Sequence, residues 1–361
     1  MTGKTIRIAD RIIGPGHPAF IIAEAGANHN GDLALAKRLC LKAREIGCDS
    51  IKFQTFSAET FCADRTKTFT YRSQGKEVTE SEFEMFKRLE FSQEQWAELM
   101  AYCDEIGIIF FTTIQDPPNL AMMLELGLKA IKVGSDDFNH VQNLKLYAQT
   151  GLPLIISKGM ADIGEVDRVI RSVQPYTDQL AVLHCVSLYP TDAKFLNIRQ
   201  ITTLAALYPD IVWGFSDHSL GPLASTLSVA LGAHVIEKHF TLDHDLPGPD
   251  HWFSMDVAEM QQLVQDVRFA ETALGNGQVN PSREESKSRA IMRRRVIARS
   301  DLPAGTILDD SSVDFMRAET GCFLEHWELL RGQRLRHPVA AKAGIEFKDV
   351  EFADARPTGH A

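Results

Sequence analysis

Several absences narrow this chain before any motif is read. No run approaches the roughly 20 apolar residues of a membrane-spanning helix, and the opening MTGKTIRIAD has no apolar signal core. A cytoplasmic protein with no membrane partner is therefore expected. The six cysteines are scattered with no CxxC spacing, which argues against a zinc cluster or disulfide scaffold and for free thiols in a reducing compartment. Positive charge is in deficit: 38 Lys and Arg stand against 48 Asp and Glu, a net charge of −10. That excludes nucleic acid as an expected partner. An anionic substrate would need a local basic pocket inside an acidic shell. No GxGxxG follows an early strand, and no GxSxG is present, so dinucleotide binding and serine-hydrolase chemistry lose their usual signatures.

What is present is a rhythm. Short apolar runs alternate with segments of helical period: FIIAEAG from Phe20, SIKFQTF from Ser50, IIFFTTI from Ile108, AIKVGS from Ala130, PLIIS from Pro153, LAVLHCVS from Leu180, IVWGFSDHS from Ile211 and HVIEKHFT from His234. Strands buried on both faces read as continuously apolar, and strict βα alternation implies a parallel sheet. Eight such units predict a (β/α)8 TIM barrel. The helix signals agree. Leu33–Gly47 stops at a glycine, and Ser92 with Gln95 three residues on is a capping box. The polar insertion Ser57–Glu90 reads as a surface loop with short helical pieces. Residues 1–19 suggest a small hairpin turning at Gly14-Pro15-Gly16. The texture changes after the barrel, so the expected division is a catalytic barrel over 1–279, a polar linker over 280–295, a small β-rich domain over 296–353 and a disordered tail over 354–361.

Barrel active sites lie at the C-terminal strand ends. Here those ends carry Glu24, Lys52 and Gln54, Thr112 and Thr113, Lys132 and Ser135, Ser157 and Lys158, His184 and Ser187, Ser216 and His218, Glu237 and His239. Each alone is as well explained by a cap or a structural ion pair; together, at one face, they point to a site. Ser216 and His218 share one strand face, as do Glu237 and His239, while Asp217 and Lys238 point away. Two imidazoles beside a carboxylate suit a divalent metal. Lysines with many hydroxyls suit a phosphate and a carboxylate. A barrel lysine also serves Schiff-base lyases, which would leave the His pair without a role. A non-catalytic glycan-binding protein using the small β domain is the remaining alternative.

The stretches IIAEAGANHNGD, IKFQTF, IKVGS, IISKGM, LHCVSLYPT, GFSDHS, VIEKHFT and PGPD resemble the sialic acid synthase family, and Val296–Phe352 resembles its terminal antifreeze-like (SAF, β-clip) domain. The resemblance covers almost the whole chain. It implies a nonulosonic acid synthase condensing phosphoenolpyruvate with an open-chain N-acyl hexosamine such as N-acetylmannosamine, with C–O cleavage and release of phosphate. It implies Mn²⁺ or Mg²⁺ on His218 and His239, and Glu24 and Lys52 as further catalytic groups. Phosphoenolpyruvate would meet Thr113, Lys132, Ser135, Ser157, Ser187 and Ser216. The sugar would meet Gln54, Asp137, Tyr189, Asp250 and Arg317, the last from the SAF cap of the other subunit of a domain-swapped homodimer. Where the family usually has Ser-Thr-Gly or Ser-Ser-Gly, this chain has Ser157-Lys158-Gly159, and Asp137 replaces a common Glu. PGPD favours a sialic or legionaminic type over a pseudaminic one. Legionaminic, pseudaminic and 9-phosphate synthases remain as acceptor variants.

Overall fold

The computed structural model describes residues 3–352; the expected tail over 354–361 lies outside them. Eight parallel strands close into a barrel: β1 (Phe20–Gly26), β2 (Ser50–Thr55), β3 (Ile109–Ile114), β4 (Ile131–Val133), β5 (Leu154–Ser157), β6 (Leu180–Cys185), β7 (Val212–Asp217) and β8 (Val235–His239). Closure comes from β8 pairing with β1, His239 beside Glu24. Almost every strand residue is buried, because one face meets the barrel interior and the other the helices. The helices are α1 (Leu33–Ile46), α2 (Gln93–Ile106), α3 (Pro117–Glu125), α4 (Val141–Ala148), α5 (Ile163–Val173), α6 (Gln200–Leu207), α7 (Leu223–Ala230) and α8 (Val257–Leu274). Their ends follow local chemistry. Asp32 caps α1 and Gly47 ends it in the left-handed region, and Ser92 with Gln95 forms the expected capping box on α2.

Two surface features differ from expectation. The leading hairpin pairs Ile6–Ile8 with Arg11–Ile13, so its turn falls at Ala9-Asp10 rather than at Gly14-Pro15-Gly16. The insertion is more ordered than a loop. Between helices Ala58–Phe61 and Glu82–Leu89 it forms an antiparallel hairpin, Thr68–Ser73 with Lys76–Ser81. Its turn is Gln74-Gly75, both at positive φ (51° and 74°), the geometry whose twist matches a two-residue hairpin. Most of the hairpin is exposed, so its alternation is written in polar residues and reads as loop.

The chain divides into two compact units, Met1–Gly275 and Asn276–Ala361. The second contains a helix, Arg283–Met292, with no buried residue. Its first strand, Arg294–Ala298, pairs antiparallel with Val313–Arg317, so strand structure starts two residues before the expected boundary. Its core gathers Val296, Leu308, Val313, Leu330, Leu335, Ile345 and Val350. A short helix, Trp327–Leu330, stands in the EHWELL stretch.

Candidate active site

Register builds the site. Parallel neighbours in register share a face, so the ladder itself aligns the polar strand ends. Glu24 lies beside Lys52, Gln54 beside Thr113, Thr113 beside Lys132, Cys185 beside Ser216, and Ser216 beside Glu237. These side chains line a cavity of about 350 Å³ at the C-terminal end of the barrel.

Its floor is a cluster of buried charged side chains, Glu24, Lys52, Lys132 and Glu237. Lys52 Nζ is 2.7 Å from Glu24 Oε2 and 3.9 Å from Glu237 Oε2, and it donates to Thr113 Oγ1 at 2.7 Å. Lys132 Nζ is 3.5 Å from Glu237 Oε1 and donates to Ser157 Oγ at 2.8 Å. Ser216 donates to Glu237 Oε1 at 2.8 Å, and Gln54 Nε2 to Glu24 Oε1 at 3.1 Å. Two lysines balance two carboxylates, which suits a dry pocket where an unmatched charge is costly. Burial raises the Glu24 carboxyl to about 7, against the lowering pull of Lys52 and with a further push from Glu237. Burial also works to raise Glu237, but Lys132, then Lys52 and the Ser216 hydrogen bond outweigh it and hold that carboxyl below its usual range. Burial lowers Lys132, with Glu237 opposing. One carboxyl is thus poised to exchange a proton near neutrality while its neighbour stays ionised.

The wall beside this floor carries the imidazoles. The His218 and His239 ring centroids are 5.5 Å apart, and Tyr189 lies against His218 at 4.0 Å. Burial lowers His218 to about 4, and burial also lowers His239 well below its ordinary value, helped by His218 and Lys52. Both rings are therefore neutral near pH 7. His218 Nδ1 is 2.9 Å from the Val186 carbonyl oxygen and donates to it, which leaves Nε2 with a free lone pair. His239 Nδ1 is buried with no hydrogen-bond partner, 3.8 Å from Asp250 Oδ2. Two neutral imidazoles with unused lone pairs are a donor set that fits a divalent metal. Among the described residues, the one grouping of three ligand-type side chains with donors within 4.8 Å is elsewhere: His244, Asp256 and Glu259. Asp256 and Glu259 are already the capping box of α8, which accounts for their convergence.

On the opposite side Ser135 and Ser187 share a hydrogen bond of 2.8 Å. Gly159 makes room for it: a Cβ there would collide with Ser187 Oγ and lie 2.8 Å from Ser135 Cβ. Gly26, at φ 52°, plays the same part for the Glu24–Gln54 bond, since a Cβ would sit 3.1 Å from Glu24 Oε1 and 3.3 Å from Gln54 Nε2.

The cavity thus brings together Glu24, Lys52, Gln54, Thr113, Lys132, Ser135, Ser157, Ser187, Tyr189, Ser216, His218 and His239. Three expected site residues are not on its lining. Asp137 lies beyond the end of β4, half-buried, while Asp136 lines the cavity instead. Asp250 lines an adjoining annex of about 520 Å³ that shares Gln54, Tyr189 and His239 with the cavity. Arg317 is exposed in the second unit, opposite Arg294 in its hairpin. Three strand-end residues also turn outward. Thr112 bonds Thr55 at 2.8 Å, Lys158 Nζ bonds Gln200 Oε1 at 2.6 Å, and His184 Nε2 meets the Leu196 carbonyl at 2.7 Å. The extra cation at 158 therefore does not enter the cavity. Asp217 and Lys238 also face away, as expected, and pair at 3.0 Å. Glu237, the carboxylate expected beside the two imidazoles, sits at the centre of the charge cluster, within reach of Lys52, Lys132 and Ser216. Phe56, Phe61, Phe86 and Met160 form apolar lips that no local pattern announced.

A closed parallel barrel with buried lysines, carboxylates and neutral imidazoles at its C-terminal mouth defines a TIM-barrel enzyme of small-molecule chemistry. Comparison with known proteins gives its family. Residues 39–279 match the NeuB family and residues 293–351 match the SAF domain. The chain is 41% identical over 337 residues to the N,N'-diacetyllegionaminic acid synthase of Legionella pneumophila, covering 92% of this chain and 94% of that one. It is 36% identical over 314 residues to the N-acetylneuraminate-9-phosphate synthase of Homo sapiens, covering 86% of each. The crystal structure of the N-acetylneuraminic acid synthetase of Leptospira borgpetersenii superposes with a TM-score of 0.72 at 33% identity, covering 80% of this chain and 95% of that one. The chain belongs to the NeuB family: it is a nonulosonic acid synthase, a transferase of the sialic acid synthase type, ending in a SAF domain.

Proposed function

We propose that this enzyme joins C3 of phosphoenolpyruvate to the aldehyde carbon of an open-chain N-acyl hexosamine, giving a nonulosonic acid and phosphate. The acceptor is N-acetylmannosamine or a diacetamido trideoxyhexose. The observation that carries the reading is the dry Lys52–Glu24–Glu237–Lys132 cluster set beside two neutral imidazoles. Lys132, Thr113 and the hydroxyls of Ser135, Ser157, Ser187 and Ser216 supply the positive charge and donors that a phosphate and a carboxylate require. His218 and His239 hold Mn²⁺ or Mg²⁺, which when bound acts as a Lewis acid toward the aldehyde. Gln54, Tyr189 and Asp250 border the acceptor.

The new bond leaves an alkoxide at the former aldehyde carbon and positive charge at C2. Glu24, protonated near neutrality, gives its proton toward that oxygen. Its carboxylate then accepts one from the water that adds at C2, and the phosphate departs with its bridging oxygen, taking the remaining hydroxyl proton as the C2 ketone forms. Lys52, 2.7 Å from Glu24, holds the carboxylate in place between these two transfers. Closing the mouth against water is the task we assign to the SAF domain of a second subunit, with Arg317 on the acceptor's N-acyl group. The helix Arg283–Met292 supports a dimer: it buries none of its residues, yet Ile291 and Met292 are apolar, and so short a helix gains stability mainly by packing. The six free cysteines suit a cytoplasmic location.

The deciding assay is phosphate release from phosphoenolpyruvate with Mn²⁺ and a panel of N-acyl hexosamines. Turnover is expected with at least one acceptor and none after chelation. No release with any acceptor, or full turnover in chelator with borohydride trapping of a lysine, would overturn the reading.

A further inference from the structure

Among the described residues four lysines are buried, Lys52, Lys132, Lys158 and Lys238, and three of them have a carboxylate. Lys52 meets Glu24 at 2.7 Å, Lys132 meets Glu237 at 3.5 Å and Lys238 meets Asp217 at 3.0 Å. Lys158 has no carboxylate within ion-pair distance among the described residues. Its Nζ donates to Gln200 Oε1 at 2.6 Å, and Gln200 opens α6, whose first turn is itself positive. Burial lowers the pKa of Lys158, and the one titratable group that opposes is the Cys185 thiol, which lines the cavity. Burial, with a push from the same ammonium, holds His184 neutral beside it. An amide oxygen, a thiol and a neutral ring are poor compensation for a buried ammonium, which normally demands an anion. Position says where that anion comes from. Residue 158 is fixed by its backbone, N donating to the Leu183 carbonyl at 2.9 Å. Ser157 before it faces the cavity and binds Lys132, and Gly159 after it makes room for the Ser135–Ser187 pair. Both neighbours shape the wall assigned to phosphoenolpyruvate, and Lys158 stands behind that wall, where a charge is screened far less than in solvent.

We propose that Lys158 is the rear cation of the phosphoenolpyruvate seat: its ammonium finds its counter-charge in the bound phosphate and carboxylate, which it attracts through the barrel wall without touching them. The inference rests on the synthase reading and goes beyond it by adding a residue outside the cavity. Lys158 stays on α6 and takes no part in bond making. Its charge costs stability while the seat is empty and contributes affinity once the seat is filled. It acts alike on the substrate and on released phosphate, because a field senses charge rather than shape. The acceptor, on the opposite side of the cavity, senses it little.

Lys158→Met tests this, since it removes the charge and keeps the length of the side chain. In steady-state phosphate release by the full chain it should raise the KM for phosphoenolpyruvate and the inhibition constant of inorganic phosphate roughly tenfold each, the scale of a unit charge acting on a multiply charged anion through buried protein. The acceptor's KM should stay within about threefold of the parent. Without ligand the variant should melt at or above the parent's Tm, because an uncompensated buried charge has gone. The Tm rise given by a fixed concentration of inorganic phosphate should shrink in the variant. Gln200→Ala keeps the cation and breaks its hydrogen bond, so its KM for phosphoenolpyruvate is expected within about threefold of the parent. A Gln200→Ala protein that matches Lys158→Met in that constant would overturn the proposal by making the pair a tether of α6. A Lys158→Met protein that melts more than about 5 °C below the parent, or that leaves both constants within about twofold, would overturn it as well. Those outcomes leave the synthase reading intact, whereas no release by the parent with any acceptor defeats both.

Discussion

Lys238→Met is the perturbation whose cost the structure defines best. Lys238 Nζ lies 3.0 Å from Asp217 Oδ2 on the helix side of the barrel, with side-chain exposures of 2% and 0%. Asp217 also accepts from Ser219 N at 2.8 Å, Ser219 Oγ at 2.7 Å and Ser225 Oγ at 2.7 Å. At that separation the pair attracts by about 5–6 kcal/mol for an effective dielectric of 20. Desolvation of both ions offsets much of it. Deleting the cation keeps the carboxylate's desolvation cost and removes its compensation, so the expected loss is about 3–5 kcal/mol. For a domain of this size each kcal/mol moves Tm by about 2–4 °C, a fall of about 6–20 °C.

The second arm removes the stranded charge. Asp217→Asn in the Lys238→Met background keeps an acceptor for the Ser219 donors and should restore about 2 kcal/mol, a coupling of the size that contacting buried groups show. Thermal and urea unfolding of the four proteins in the cycle measure it. Because His218 follows Asp217 and His239 follows Lys238, kcat should fall with the single variant and recover in part with the double. A Lys238→Met protein that melts within about 2 °C of the parent, or an Asp217→Asn change that further destabilises it, would refute the account of this pair.

Three further outcomes are expected. His29 is wholly buried against Phe53, Phe91 and Trp96, and burial lowers it to about 4. Below its ordinary 6.5 the unfolded chain takes a proton that the folded chain refuses, so stability is lost as pH falls from 6.5 toward 4, His29 contributing on the order of 3 kcal/mol; His29→Phe should make the fall of the urea midpoint across that window shallower without abolishing it, since burial lowers His184, His218 and His251 to about 4 too, and an unchanged slope refutes the claim. Mn²⁺ at about 100 times its dissociation constant should stabilise the parent by about 2.7 kcal/mol, a Tm shift that vanishes in His218→Ala and His239→Ala; a shift surviving in both places the ion elsewhere. Gly159→Ala should push the Ser135–Ser187 pair apart and raise the KM for phosphoenolpyruvate roughly tenfold, with that of the acceptor within about threefold; the reverse split refutes the assignment of those hydroxyls.

The barrel was legible because its strands are apolar on both faces and its helices carry their caps in sequence. Much of the site was legible for a related reason: while a strand lasts, parity fixes which side chains face inward. His239, Glu237 and Ser216 follow that rule. Where parity was not applied, the reading went astray. Cys185 faces the cavity, so His184, one residue earlier, must face the helices, and the same holds for Thr112 beside Thr113. Beyond the last paired residue the rule has nothing to act on. β4 is three residues long, and past Val133 the chain turns freely, so residue spacing could not choose between Asp136 and Asp137. Lys158, just after β5, turns to α6 for the same reason.

The annex marks the other boundary. Arg72 and Trp252 meet only because an exposed hairpin folds over a loop from the far end of the barrel, and neither segment has an apolar period that would place it. The hairpin's alternation is polar, and its Gln74-Gly75 turn lacks the Asn-Gly or Asp-Gly signal. Reaction chemistry in this fold is therefore encoded in the strands, where backbone geometry makes spacing informative. The annex is lined largely by insertions, where placement depends on tertiary contacts. Substitutions on Thr68–Ser73 and Pro249–Phe253 should accordingly change which sugar is used far more readily than whether phosphoenolpyruvate is consumed.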